Sequence, residues 1–161
     1  MSSEKSTILV TGGAGYIGSH AVLALKQAGY EVVILDNLVY GHRDLIEQVL
    51  KVELIEGDTG DRDLLDKLFK SRDIAAVMHF SAYAYVGESV SNPAKYYRNN
   101  VIGTITLLEA MLAASVKKFV FSSTCATYGV PETVPIPEDH PQNPINPYGA
   151  TKLMVDRKSV V

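Results

Sequence analysis

Short β-branched apolar runs alternate with longer segments of helical periodicity, the pattern of successive βαβ units with a parallel sheet. Thr7–Thr11 reads as a buried strand and Tyr16–Ala28 as a helix closed by Gly29. Glu31–Asp36 is a second strand, followed by a polar loop, a short helix over Asp44–Leu50 and a third strand over Val52–Glu56. Leu64, Leu65, Leu68 and Phe69 set a helical period in Asp61–Ser71, and Ala75–Phe80 is a fourth strand. Ser91-Asn92-Pro93 predicts a helix start, with a polar cap and proline in the first turn. That helix is expected to run to about Ala114, with Val101, Ile105, Leu108 and Leu112 as the stripe buried on the sheet. Gly103 interrupts it at a cost of about 1 kcal/mol, which predicts close packing there. Lys118–Ser122 is a fifth strand, and a last helix begins near Pro147. Six of the seven prolines lie from Pro131 to Pro147, so the stretch between is a loop.

At 161 residues the chain is expected to form one domain, residues 1–161. Apolar content of 47% with 20% charged residues is ordinary for a globular protein. A net charge of -3 gives no electrostatic case for nucleic acid or an anionic membrane as partner, and no apolar run is long enough to span a bilayer. Cys125 is the only cysteine, so no internal disulfide forms and a cytoplasmic setting is expected; a small buried thiol is the expected state. His20, His42, His79 and His140 are scattered without ligand spacing, so no metal site is expected.

The candidate chemistry lies at the ends of these elements. Gly12, Gly15 and Gly18 stand between the first strand and the first helix. Glycines there permit a tight turn, close approach of a pyrophosphate to the backbone and close packing of helix on sheet, and the helix amino terminus attracts phosphate. Asp36 ends the second strand, 18 residues past Gly18, where a carboxylate reads ribose hydroxyls and repels a 2′-phosphate, favouring NAD over NADP. The competing role is a turn cap. Asp58 has the same two readings, contact with the adenine amino group or a turn aspartate. Tyr148 and Lys152, four apart, share one helix face, so an ammonium beside the phenol favours the phenolate and makes a base. Their competing readings are a rim aromatic and a solvated lysine.

With these residues in place, the chain resembles the extended short-chain dehydrogenase/reductase family, most closely its NAD-dependent UDP-glucose 4-epimerases. The matching stretches are Val10–Ser19, Asp36-Asn37-Leu38, Gly57-Asp58, His79-Phe80-Ser81-Ala82, Val86-Gly87-Glu88-Ser89, Asn99-Asn100-Val101 with Gly103-Thr104, Ser122-Ser123-Thr124, and Asn146-Pro147-Tyr148-Gly149 with Lys152. The resemblance implies a Rossmann-type doubly wound parallel α/β sheet with NAD as cofactor. It assigns to cofactor binding Gly12, Gly15, Tyr16, Ile17, Gly18, Asp36, Asn37, Leu38, Asp58, Thr59, Phe80, Ser81, Ala82, Asn99, Tyr148 and Lys152. Thr124, Tyr148 and Lys152 become the catalytic set, acting on the 4-hydroxyl of a UDP-sugar by way of a 4-keto sugar. Two departures stand out: Ala84, where bacterial epimerases often carry a lysine that contacts the cofactor, and Thr124, which replaces the commoner serine. Related dehydratases place Asp-Glu after this threonine, and decarboxylating relatives a glutamate two positions on; Cys125 and Ala126 stand there instead and do no carboxylate chemistry. The remaining reaction is epimerisation, with UDP-glucose and UDP-galactose as the pair or, by a similarity to UDP-arabinose 4-epimerases, a pentose pair. The resemblance also implies a homodimer through the long helix and the Tyr-x-x-x-Lys helix. Relatives are about twice this length and bind the nucleotide sugar through their carboxyl-terminal part. The fold is therefore expected to be incomplete at the carboxyl end and to lack the substrate domain, and an inactive NAD-binding module is the rival reading.

Overall fold

The computed structural model describes residues 6–158. Five strands form one parallel sheet: β1 (Thr7–Thr11), β2 (Glu31–Asp36), β3 (Glu53–Glu56), β4 (Ile74–His79) and β5 (Phe119–Phe121), in the order β3-β2-β1-β4-β5. Register pairs Thr11 with Leu35 on one side and His79 on the other, so the strands end together at one edge. The order reverses between β1 and β4, and open α/β sheets take ligands at the carboxyl ends beside such a reversal.

Alternation along β1 and β2 feeds both faces. Leu9, Val33, Leu35 and Val77 pack with Leu65, Leu68 and Phe69 of α2 (Arg62–Ser71) and with Leu107, Ala110 and Met111 of α5 (Gly103–Ala113). Ile8, Val10, Val32 and Ile34 pack on the other face with Val22 of α1 (Tyr16–Gln27) and with Ile46 and Leu50. A sheet covered on both sides explains why its strands read as unbroken apolar runs. The α1 carboxyl end is closed as the sequence predicts: Gly29 has φ +89°, with Gly29 N–H donating to Lys26 O and Tyr30 N–H to Leu25 O, a Schellman motif. Asp61 caps α2 by accepting the Leu64 N–H.

Several expectations are corrected. The long helix is not uniform: α4 (Pro93–Tyr96) leads into a wide π-helical turn, Tyr97–Ile102, and then α5. Asn92 stands at the cap position but its side chain makes no capping bond. The buried stripe lies one residue away from Val101, Ile105, Leu108 and Leu112. Asn100, Thr104, Leu107 and Met111 are buried, while Leu112 is 69% exposed. Four apolar residues against two make periodicity favour the stripe at 101, 105, 108 and 112, although 107 and 111 are apolar as well. The short helix after β2 is likewise a π-helical turn, Leu45–Leu50, ended by Lys51 in the left-handed region. A further short helix, α3 (Val86–Ser91), lies where the sequence pattern predicts none.

By compactness the chain divides into two units, the first taking residues through Ser81 with Thr106–Ser122 and the second Ala82–Ile105 with the residues from Ser123 on. The first holds the sheet, α1 and α2; the second holds α3, α4 and α6 (Pro147–Lys158). Among the described residues no helix is long and apolar enough to cross a membrane.

Candidate functional site

In the first unit the predicted cofactor residues gather at the carboxyl ends of β1 to β4. Gly12 leaves β1 with φ +73°, and a Cβ there would lie 2.6 Å from Ser81 N. A Cβ on Gly18 would lie 2.1 Å from Gly12 O, so the first turn of α1 packs directly on the strand exit. Both glycines are thus required by the fold itself. Gly15 is different: its backbone is extended, and a Cβ would meet nothing closer than Gly12 O at 3.4 Å. No internal contact forbids a side chain there. Its absence leaves a bare cradle at the amino end of α1, where the dipole and the first-turn N–H groups favour an anion. Tyr16 and Ile17, next in the chain, are 83% and 61% exposed.

Asp36 is buried at the end of β2. Its Oδ2 accepts the Ala14 N–H at 3.0 Å and its Oδ1 the Leu38 N–H at 2.9 Å. It therefore ties the glycine turn to the β2 loop and holds Leu38 in the left-handed region at φ +58°. The capping role read from the sequence is present, and each oxygen keeps a further acceptor site for a hydroxyl. Asp58 is a turn aspartate in the same sense: Oδ1 accepts the Gly60 N–H at 2.8 Å and Oδ2 the Asn37 amide at 2.9 Å. Thr59 is buried, and Phe80 and Ser81 follow β4 half-buried, with Phe80 N–H donating to Thr11 O.

The second unit holds Ala82, Asn99, Thr124, Tyr148 and Lys152. Thr124 has extended backbone and caps the turn Cys125–Thr127, its Oγ1 accepting the Ala126 N–H at 3.2 Å. A Cβ on Gly149 would lie 2.5 Å from Ala126 O, so the Thr124 turn and the first turn of α6 touch backbone to backbone. Gly149, next to Tyr148, is what permits that approach. Lys152 is only 4% exposed, which removes the reading of a solvated lysine. Burial draws its ammonium down to about 8. Asn99 lies in the π-helical turn and donates to Asn100 Oδ1 at 2.8 Å. Cys125 is exposed, correcting the expected buried thiol, because the turn that Thr124 caps directs position 125 outward.

Residues 8–159 match the model of the "NAD dependent epimerase/dehydratase family". The chain belongs to that family. It is 51% identical over 154 residues to a UDP-glucose 4-epimerase of Rhizobium meliloti (strain 1021), covering 96% of this chain and 46% of that protein. It is also 51% identical over 156 residues to a putative UDP-arabinose 4-epimerase of Arabidopsis thaliana, covering 92% of this chain and 36% of that one. The fold matches the crystal structure of the Brucella ovis UDP-glucose 4-epimerase in complex with NAD at a TM-score of 0.91 and 48% identity, over 95% of this chain and 46% of that one. The chain thus spans less than half the length of these family members.

Sequence reasoning assigns no role to Ser89 and Thr151, which bond to the Tyr148 backbone, to Gly149 beside it, or to Asn100, which bonds to Thr151. The signal for Ser89 and Asn100 is present as polar residues inside helical segments, where an apolar residue would otherwise be buried.

Proposed function

We propose that this chain supplies the NAD-binding turn and the proton-transfer groups of a UDP-sugar 4-epimerase that interconverts UDP-glucose and UDP-galactose through a 4-keto sugar. The observation that carries the reading is Lys152, buried one helical turn beyond Tyr148 and still mostly charged at neutral pH, on a helix packed against the Thr124 turn. Lys152 follows Tyr148 by four residues on α6, so both stand on one face of that helix. Tyr148 takes the proton of the sugar 4-hydroxyl and later returns one. Thr124 Oγ1 is occupied as an acceptor by Ala126 N–H and keeps its own hydrogen to donate to the same sugar oxygen. When bound, NAD supplies the hydride acceptor and donor for C4. The bare space at Gly15 and the spare acceptor sites on Asp36 suit a pyrophosphate and a ribose diol.

Turnover of UDP-galactose by the chain, with Tyr148→Phe as control, tests this. The expected result is weak, Tyr148-dependent epimerisation with NAD binding retained in the variant. Turnover indifferent to Tyr148 removes the mechanism, and NAD binding without turnover in the unmodified chain favours a silent cofactor module. Binding of NAD and NADP should differ, with Asp36→Ala narrowing the gap; equal affinity in the unmodified protein would sink that assignment. A pentose substrate is the second reading, supported by the identity to the Arabidopsis protein, and kcat/KM for UDP-arabinose against UDP-galactose separates the two. The exposed apolar side chains of Ile102, Leu112 and Met154 support a homodimer through these helices. A cytoplasmic setting fits the lone, exposed Cys125.

A further inference from the structure

Both backbone hydrogen-bonding groups of Tyr148 are taken by buried hydroxyls. The first N–H groups of a helix have no acceptor within it. In α6 Pro147 has none to satisfy, Gly149 donates to Asn146 Oδ1 at 2.8 Å, and Ala150 donates to Asn146 O at 3.0 Å. That leaves the Tyr148 N–H, which donates to Ser89 Oγ at 3.2 Å, across 59 residues of sequence. Ser89 lies in α3, is fully buried, and passes its own hydrogen to Val86 O at 2.6 Å. On the other side Tyr148 O accepts from Thr151 Oγ1 at 2.7 Å, and that oxygen accepts from Asn100 Nδ2 at 3.2 Å. Asn100 has no capacity left over: its amide also donates to Tyr83 O at 3.0 Å, while its Oδ1 accepts from Tyr83 N at 2.9 Å and from Asn99 at 2.8 Å.

We infer that Ser89 is a positioning residue for Tyr148, fixing the first turn of α6 from outside the helix so that the phenol is held where proton transfer needs it. The inference rests on the proposed role of Tyr148 and deepens it. A serine whose only task was to satisfy itself would be complete with Val86 O; the bond to Tyr148 is additional and falls on the residue that bears the phenol. Water has no ready access to replace it, because Ser89 is fully buried. The substitution Ser89→Ala is close to isosteric and leaves the Tyr148 N–H without its acceptor, which the turn relieves by moving residue 148.

The test compares Ser89→Ala with Ser91→Ala. Ser91 is an exposed serine of the same helix whose hydroxyl donates to Glu88 O at 3.1 Å. In protein labelled with fluorotyrosine, the Tyr148 resonance is the one lost in Tyr148→Phe. It should shift in Ser89→Ala and stay in place in Ser91→Ala, and amide exchange at residue 148 should quicken in Ser89→Ala alone. An unmoved resonance with unchanged exchange overturns the inference. In turnover, misplacement of a reacting group predicts a kcat lower by about 10- to 100-fold, with KM for the sugar nucleotide and NAD affinity unchanged. A kcat equal to that of the unmodified protein, despite a moved resonance, also overturns it. Turnover that survives Tyr148→Phe condemns the proposed function instead, and the resonance and exchange data are then read separately.

Discussion

Lys152 carries a cost that the titration of the protein should reveal. Burial holds its ammonium at about 8, below the 10.5 of a free lysine. Below pH 8 the side chain is charged in both the folded and the unfolded chain, and the desolvation penalty is present in full. Between pH 8 and 10.5 the unfolded chain holds the proton while the folded chain releases it, so stability rises with pH through that window. Lys152→Met should therefore be more stable than the unmodified protein at pH 7, by up to about 3 kcal/mol from the size of the shift. The gap should close as pH approaches 10.5, which urea denaturation across the pH range checks. At Gly18 the expectation runs the other way. An added methyl would lie 2.1 Å from a backbone oxygen that cannot rotate aside, so Gly18→Ala should cost about 1–3 kcal/mol of stability. Gly15→Ala meets nothing closer than ordinary contact within the protein; it should leave stability nearly unchanged and weaken NAD binding, read by calorimetry on the same variants. The spacing of the three glycines was legible in the sequence. Their division into two that the fold requires and one that it leaves free was not, because it depends on which atoms stand opposite each Cα.

Among the elements, the helical stretch from Pro93 to Ala113 shows where periodicity stops being informative. The stripe at 101, 105, 108 and 112 and the stripe at 100, 104, 107 and 111 differ by one residue, and the apolar count favours the first. The second is buried because Asn100 and Thr104 find internal partners: Asn100 with Tyr83, Asn99 and Thr151, and Thr104 with Asn100 O at 2.7 Å. A buried polar residue with every bond made costs little, whereas the same residue unpaired costs about 1–3 kcal/mol. Asn100→Leu, apolar and of similar size, should therefore destabilise the chain despite improving the hydrophobic pattern. Denaturant midpoints compare it with Val49→Gln, which should be close to neutral at a position that is 66% exposed. The cap of α2 needs no distant partner, because Asp61 acts only on its own helix. Asp61→Ala should cost about 1 kcal/mol, measurable in the same series.

At the scale of the whole molecule a parallel sheet covered on both faces follows from the alternation of strands and helices, and the fold match agrees with it; the strand order is the structure's own. Assembly belongs to this scale too. Leu112 and Ile102 expose apolar surface on the long helical stretch, and Met154 does so on α6. If a second copy covers these positions, sedimentation should show a dimer at micromolar concentration, and Leu112→Glu with Met154→Glu should yield monomer without loss of fold.

The sequence by itself determined the elements of the parallel sheet, the glycine turn, the acid at the end of β2, and the Tyr-x-x-x-Lys pair on one helix. Each of these is a local matter: a period, a spacing, or a residue type that a single turn demands. Only the tertiary structure decided that Lys152 is buried, that Cys125 is exposed, that the long helix turns its polar stripe inward, and that Ser89 reaches the backbone of Tyr148. These depend on partners that lie tens of residues away, and a hydrogen bond between distant residues leaves no periodic trace along the chain.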